Sequence, residues 1–486
     1  MVIEGSRANS FRLAAMGANR LVRFLGDWTH GSGTLHDQLA NQVRHLIGTG
    51  AISSGTRLPS ERSLAIALNV SRNTVAKAFD ALRGDGLISS RQGDGTYVSA
   101  GRRHLMPRGD DRLQSFVSGE GEGRNEAPRI DLRSAALPGL PMAASEVNLL
   151  DGARMRDLIA SHGYLPSGLP EFREAVARYY SDLGLPTEPE NILVTSGAQQ
   201  ALRLAASVFI ERGSTVVIEE PSFRGAIESL KSIGARLIGV PSGVDGIDVD
   251  ALAAVVAKSN PALIVVQSTV HNPTGSVMDT FRRSRVASIA SRFSVPVIDD
   301  ATLADTIIDG ERRPLPLAVG GESIVTVGSM SKSFWGGLRV GWVRAAPEVI
   351  EELAGVKGGE DLGTSLLAQL LASQLLPQIE RARDERHSVL SESRRLALDA
   401  IGALLPDWDP QIPSGGASLW VKLPSATATA FTQRAERDGV LLLPGPTFSS
   451  SDGLDEYLRL AFTASPDYTA RGIELLARTW RTFERS

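Results

Sequence analysis

The sequence predicts a multidomain chain. A small α+β unit of three helices and a β-hairpin comes first. A large α/β domain follows, with a mostly parallel sheet and a smaller α+β subdomain. Three observations carry this expectation. Residues 34–100 hold three short amphipathic patterns closed by a hairpin signal. Residues 101–127 are polar, Gly-rich and without periodicity. From about residue 128, short apolar runs alternate with helical stretches, the pattern of βαβ units with a buried sheet.

Size and composition allow this. The chain has 486 residues, of which 42% are hydrophobic and 22% charged, enough for two or three domains with real cores. No run reaches 18 apolar residues, which argues against a membrane-spanning helix. The first 28 residues lack the apolar block of a signal peptide. There is no cysteine, hence no disulfide framework, thiolate metal site or Cys nucleophile. The expected location is the cytoplasm.

Residues 1–33 read as a loose arm with a short apolar patch, Leu21, Val22, Phe24, Leu25 and Trp28. In the first helix, Leu35, Leu39, Val43, Leu46 and Ile47 fall on one face. Ser60 after Pro59 is a good N-cap for a second helix ending near Leu68. Asn69-Val70 is a turn, and Ser71 caps a third helix whose buried stripe is Val75, Phe79 and Leu82. Leu87-Ile88 and Tyr97-Val98 flank Arg91-Gln92-Gly93-Asp94-Gly95 as a hairpin. Residues 101–127 are then a flexible linker, and 128–486 form the second domain. There the runs NILVT, STVVIEE, ARLIGV, ALIVVQ, VPVIDD, SIVTVGS and VGWVRA read as strands. A long helix around 375–403, SLWVKLP and EYLRLAFT belong to the subdomain.

Three helices and a hairpin make a winged helix-turn-helix, whose third helix lies in the major groove with its first turn on base edges. That turn presents Ser71, Arg72, Asn73 and Thr74, with Lys77 one turn on. Arg pairs bidentately with guanine and Asn with adenine. Arg62 would reach base or backbone, and Arg91, Gln92 and Gly93 of the hairpin the minor groove or phosphates. Net charge gives little support. The whole chain is −4, while residues 34–100 hold seven Lys+Arg against five Asp+Glu, a balance of +2. The pattern LPSER…LNVSRNTV…GLI…GDGT nevertheless resembles the GntR family of bacterial repressors almost throughout. The resemblance implies binding to double-stranded operator DNA.

The second domain carries its own motifs: HGYLPSGLPEFREAV, NILVTSGAQQ, EEPSFRG, HNPTG, VPVIDDA, GSMSKSFWGGLRVG and EYLRLAFT. In this order they resemble fold-type I, pyridoxal-phosphate-dependent aminotransferases. The whole chain, from 34 to about 463, resembles the MocR subfamily of GntR regulators. This implies pyridoxal 5'-phosphate as cofactor, with Lys332 as its Schiff-base lysine. Arg339 would pair the phosphate, helped by Ser329, Ser331 and the turn Ser196-Gly197-Ala198 at a helix start. Asp299 would hold the pyridine nitrogen protonated; Asp300 is a rival if the alignment shifts by one. Asn272 would bond the ring O3', and Phe223 stack on the ring. Arg459 would grip the α-carboxylate of an amino effector. Tyr164 would reach the phosphate of the neighbouring subunit in a head-to-tail homodimer.

Two departures from the pattern stand out. The tyrosine usually found two or three residues after the aspartate is replaced by Ala301 and Thr302, of which Thr302 remains a cofactor-side candidate, and the stacking ring is Phe rather than Tyr. Both point away from efficient transamination. The expected function is therefore a transcriptional regulator that senses an amino compound, or the cofactor itself, and is not an enzyme. The alternatives are an aminotransferase carrying a DNA-binding domain, and a regulator whose second domain only dimerises.

Overall fold

The computed structural model describes residues 16–26, 28–29, 33–48, 52, 56–85, 87–91, 95–98, 129–147, 152–310, 313–425 and 427–484. The chain divides into two units, Met1–Arg124 and Asn125–Ser486. The expected linker, and Gln92 and Gly93, lie outside the described residues.

In the first unit, helices α1 (Ala18–Leu25), α2 (Leu35–Gly48), α3 (Glu61–Leu68) and α4 (Arg72–Gly84) precede the hairpin β1 (Ile88–Arg91) and β2 (Gly95–Val98). Both expected N-caps form. Ser60 Oγ accepts from Ser63 N at 3.1 Å and Ser71 Oγ from Thr74 N at 3.0 Å, each contributing about 1 kcal/mol. Asn69 takes a left-handed conformation, φ 54°, between α3 and α4. The hairpin pairs in register, Ile88 opposite Val98 and Arg91 opposite Gly95.

The reading of residues 1–33 as a loose arm needs correction. Residues 18–25 form α1, and Met16, Leu21, Leu25 and Trp28 are buried in one core with Leu39, Val43, Leu64, Val75 and Phe79. Leu21 and Leu25 stand one turn apart on α1 and, with Trp28 beyond its end, bury apolar area in the core shared with α2 and α3. Eight residues cannot hold a helix alone; the tertiary contact makes this one.

After the short strand β3 (Ile130–Asp131), the second unit is built on an eight-stranded sheet. Its strands are β4 (Ile192–Thr195), β5 (Thr215–Glu220), β6 (Arg236–Gly243), β7 (Gly246–Ile247), β8 (Leu263–Val266), β9 (Val297–Asp300), β10 (Ile324–Ser329) and β11 (Gly341–Arg344). The order is β4-β11-β10-β9-β8-β5-β6-β7, with β10-β9-β8-β5-β6 parallel and β11 and β7 antiparallel to their neighbours. Helices cover both faces, as a parallel sheet requires. One face packs on α5 (Pro170–Asp182) and, further along the chain, the helix Thr280–Phe293. The other packs on α6 (Ala198–Phe209), α7 (Arg224–Ser232) and the helix Pro347–Glu360. Successive strand residues alternate between them: Val297 belongs to the first core and Ile298 to the second. The long helix, Ile379–Leu404, leads to an antiparallel sheet of Asp409–Gln411, Ser418–Lys422, Tyr457–Ala461 and Leu443–Pro444. This subdomain has its own core around Leu419, Phe431, Leu460 and Trp480.

Candidate functional site

In the first unit, α4 begins at Arg72, so Arg72 and Asn73 stand exposed in its first turn and Lys77 exposed one turn on. Arg72 Nε lies 3.8 Å from Glu61 Oε2, and Arg83 Nη2 3.2 Å from Glu61 Oε1. Ser71 and Thr74 hydroxyls are 2.8 Å apart and serve the cap. Arg62 is exposed on α3. Arg91 ends β1.

In the second unit, the C-terminal ends of the parallel strands bring the expected residues of one site together. Gly197, φ 104°, is the N-cap of α6 and offers no side-chain acceptor. The first-turn N–H groups, beginning with Ala198, are therefore open to an anion. Arg339 stands at the same place: its Nη2 donates to Ser196 O at 2.7 Å, and a Cβ added at Gly197 would sit 3.0 Å from that nitrogen. Ser329 Oγ, at the end of β10, donates to Ser331 Oγ at 2.9 Å. Helix start, guanidinium and two hydroxyls are the donor set of a phosphate cradle, and they fit a phosphorylated cofactor.

Lys332 lies in a single π-turn, Ser331–Trp335, right after β10; such turns recur at functional sites. Its Nζ donates to Ala135 O at 2.9 Å. Burial, then the charges of Arg459 and Arg386, push its pKa down to about 8. Buried Arg386 is spent on the carbonyl oxygens of Pro138, Ser333 and Phe334. Arg459, also buried, donates Nη1 to Asn272 Oδ1 at 3.1 Å and Nη2 to Arg133 O, and lies over the Phe448 ring at 4.8 Å. Burial, then Arg224, lowers its pKa to about 10, so it stays cationic. Phe223 precedes α7 and is half-buried against the core beneath that helix.

Three expected residues, Asp299, Thr302 and Tyr164, meet a different geometry. Asp299 turns to the α5 face: Oδ1 and Oδ2 accept from Ser268 N and Oγ at 3.0 and 2.9 Å, and Arg283 is its main charged neighbour. The physical reason is strand alternation, since Asp299 shares the side of Val297. Asp300 takes the α6 face. Burial raises the pKa of both carboxyls. Thr302 commits its hydroxyl to Asp300 Oδ1 at 2.5 Å. Tyr164 is 59% exposed, stacked on His162.

Sequence reasoning missed the segment 133–138. Arg133 O, Ser134 O, Ala135 O and Pro138 O accept from Arg459, Thr463, Lys332 and Arg386 in turn. Its role is carried by backbone carbonyls, which leave no side-chain signal. It also passed over Gln267, whose Nε2 donates to Asp300 Oδ2 at 3.1 Å and whose Oε1 accepts from Asn272 N at 3.0 Å; a lone glutamine carries no spacing to mark it.

Together, the winged helix-turn-helix and this lysine-centred site on an aminotransferase fold define a DNA-binding regulator with an aminotransferase-like domain. The family model "Aminotransferase class I and II" matches residues 142–476, and "Bacterial regulatory proteins, gntR family" matches residues 35–98. The chain belongs to the aminotransferase class I and II family and carries a gntR-family domain ahead of it, the arrangement of MocR-type transcriptional regulators. It is 29% identical over 462 residues to the HTH-type transcriptional regulator YdfD of Bacillus subtilis, covering 90% of this chain and 94% of that one. It is 33% identical to a 2-aminoadipate transaminase of Thermus thermophilus, covering 60% of this chain and 75% of the enzyme. The crystal structure of LysN, α-aminoadipate aminotransferase of Thermus thermophilus, complexed with N-(5'-phosphopyridoxyl)-L-leucine, superposes with a TM-score of 0.68 at 27% identity, over 78% of this chain and 96% of that one. Pyridoxal phosphate is the cofactor. No described helix is long and apolar enough to cross a membrane.

Proposed function

We propose that this regulator holds pyridoxal phosphate at Lys332 and reads an amino acid at the same site, using occupancy to change how it holds operator DNA. The observation that carries the reading is the convergence on one strand-end edge of Lys332, the Gly197–Arg339 cradle and Arg459. When bound, pyridoxal phosphate supplies an aldehyde that a primary amine attacks and a ring that withdraws electrons. The chain's own groups do the rest. The α6 start, Arg339, Ser329 and Ser331 bind phosphate. Lys332, with its pKa near 8, reaches the neutral form an attacking amine needs at little cost. Arg459 takes the effector carboxylate through its planar fork, and Asn272 holds that fork. Phe223 covers the ring position.

Effector binding would release Lys332 and engage Arg459 from the subdomain, and that differential contact is what biases the protein's states. Turnover is not required. With Ala301 and Thr302 where a phenol would stand, and the Thr302 hydroxyl already donated to Asp300, any transamination is slow. Tyr164, exposed in the single chain, supports a head-to-tail homodimer in which it reaches the partner's phosphate site. In the DNA-binding unit, Arg72 and Asn73 read bases, while Arg62, Lys77 and the wing hold the backbone. The setting is the bacterial cytosol. Because the Thermus thermophilus relative is a 2-aminoadipate transaminase, L-2-aminoadipate is the first probe. The test is a visible-absorbance scan of the purified chain, followed by operator binding with and without the probe. A chain that takes up no cofactor, or whose DNA binding ignores every amino acid offered, sinks the proposal.

A further inference from the structure

The π-turn that carries Lys332 is held by groups that converge on the residue next to the lysine. Ser333 is buried. Its hydroxyl donates to Asp305 Oδ2 at 2.7 Å, and its carbonyl oxygen accepts from Arg386 Nε at 3.2 Å. Arg386 Nη2 adds a bond to Phe334 O at 2.8 Å. Asp305 Oδ1 in turn accepts from Arg383 Nε at 2.9 Å and Arg313 Nη1 at 3.0 Å. Arg383 and Arg386 stand three residues apart on the long helix Ile379–Leu404, hence on one face of it. The turn is thus gripped twice by the same helix face. Arg386 grips it directly, and Arg383 grips it through Asp305.

That helix belongs to two cores. Ile379 and Ala382 pack in the core on the α5 side of the large sheet, whereas Leu390, Ala397 and Ile401 pack in the subdomain core with Leu460. Arg459, beside Leu460 on the strand Tyr457–Ala461, is carried by the same subdomain. The two gripping arginines lie between Ala382 and Leu390, where the helix passes from one core to the other. A helix is a stiff rod that rises about 1.5 Å per residue, so a shift at Leu390 acts on Arg386 only about 6 Å away. There is room for such a shift. Asp305, Arg313, Arg383 and His387 line an open cleft of about 580 Å³.

These are not solvated surface pairs. Arg386 is 3% exposed and the Asp305 side chain 9%. Buried charges are costly unless hydrogen bonds satisfy them. Two of the three acceptors of Arg386, Ser333 O and Phe334 O, belong to the turn.

Resting on the proposed function, we propose that Asp305 and Arg386 are positioning residues for Lys332, which hang its turn from the long helix so that a displacement of the subdomain carrying Arg459 is felt at the lysine. The helix is then the lever between the group that grips the effector and the group that the effector releases.

The test uses the full-length chain, first without cofactor, and reads hydrogen exchange at the amides of residues 331–335. Arg386→Met and Asp305→Asn should each speed it about tenfold or more, the effect of a lost charged hydrogen bond. Wild-type exchange in either variant overturns that residue's role. Leu390→Ala, in the subdomain core, should also speed exchange at 331–335 and add nothing in the Arg386→Met background; additive effects overturn the lever. With cofactor offered, the pH midpoint of its uptake should move upward from about 8 in Arg386→Met, because a cation beside the amine is gone, and stay in place in Arg386→Lys. An unmoved midpoint in Arg386→Met overturns the action of Arg386 on the lysine. If the charge variants do not fold, Ser333→Ala decides, since it removes only the hydroxyl, and wild-type exchange there overturns the grip. A wild-type chain that takes up no cofactor sinks the proposed function, whereas the grip stands or falls on the cofactor-free exchange.

Discussion

The ammonium of Lys332 rests on the carbonyl oxygen of Ala135, 2.9 Å away, although the two residues are far apart in sequence. The contact leaves the amine one uncharged acceptor and two cationic neighbours, Arg459 and Arg386. Its pKa near 8 follows from burial first and the neighbouring guanidinium groups second.

The rate of cofactor uptake should therefore rise with pH through about 8 and level off above it. A depressed ammonium pKa means that the attacking neutral amine is the minor form at pH 7, so the plateau should lie about tenfold above the pH 7 rate. Stopped-flow absorbance measures this. A flat profile between pH 6.5 and 9 contradicts the assignment of Lys332. Lys332→Ala should lose the cofactor absorbance with the fold intact. A borohydride-fixed adduct surviving in that variant would identify another lysine.

Arg459→Ala should spare cofactor absorbance and remove the response to L-2-aminoadipate. A lost charged hydrogen bond costs about 1.5–3 kcal/mol, more than tenfold in affinity, read by titrating the spectral shift. Unchanged affinity would mean that the carboxylate is held elsewhere.

Transamination between L-2-aminoadipate and a 2-oxo acid should stay below about 1 per second. Coupled product assays decide this. Faster multiple turnover would recast the protein as an enzyme that also binds DNA.

On DNA, Arg72→Ala should cost about 1–3 kcal/mol on the specific operator and little on random sequence. Lys77→Ala should weaken both alike and lower the salt slope by about one. Equal losses on both DNAs for Arg72→Ala would remove it from the base-reading set. Competition binding at two salt concentrations separates these cases.

Leu21→Ala should destabilise the DNA-binding unit by about 2–5 kcal/mol, because the side chain is fully buried beside α2 and α3. Hydrogen exchange at the amides of α2 and α4 would report it as faster opening. Unaltered exchange would return α1 to the status of a loose arm.

Much of this protein is legible in its letters alone. Ser60 and Ser71 announce their caps by residue type, because a cap is a local hydrogen bond within three residues. The strands from NILVT to VGWVRA declare themselves by unbroken apolar runs, because a sheet covered on both faces has no polar side. The lysine, its arginine seven residues on and the HNPTG and EYLRLAFT stretches fall in family order, which set the architecture and most of the site. Tertiary structure decided the rest. Helix α1 is too short to hold itself and exists by packing Leu21, Leu25 and Trp28 against neighbours that no local pattern names. Lys332 and one arm of Arg459 find their acceptors in backbone carbonyls of 133–135, invisible to residue type. Asp299 and Asp300 are chemically identical neighbours in the sequence. Only the helices laid over each face of β9 determine which of them meets Gln267 and which meets Ser268, since a one-residue step along a strand reverses the side.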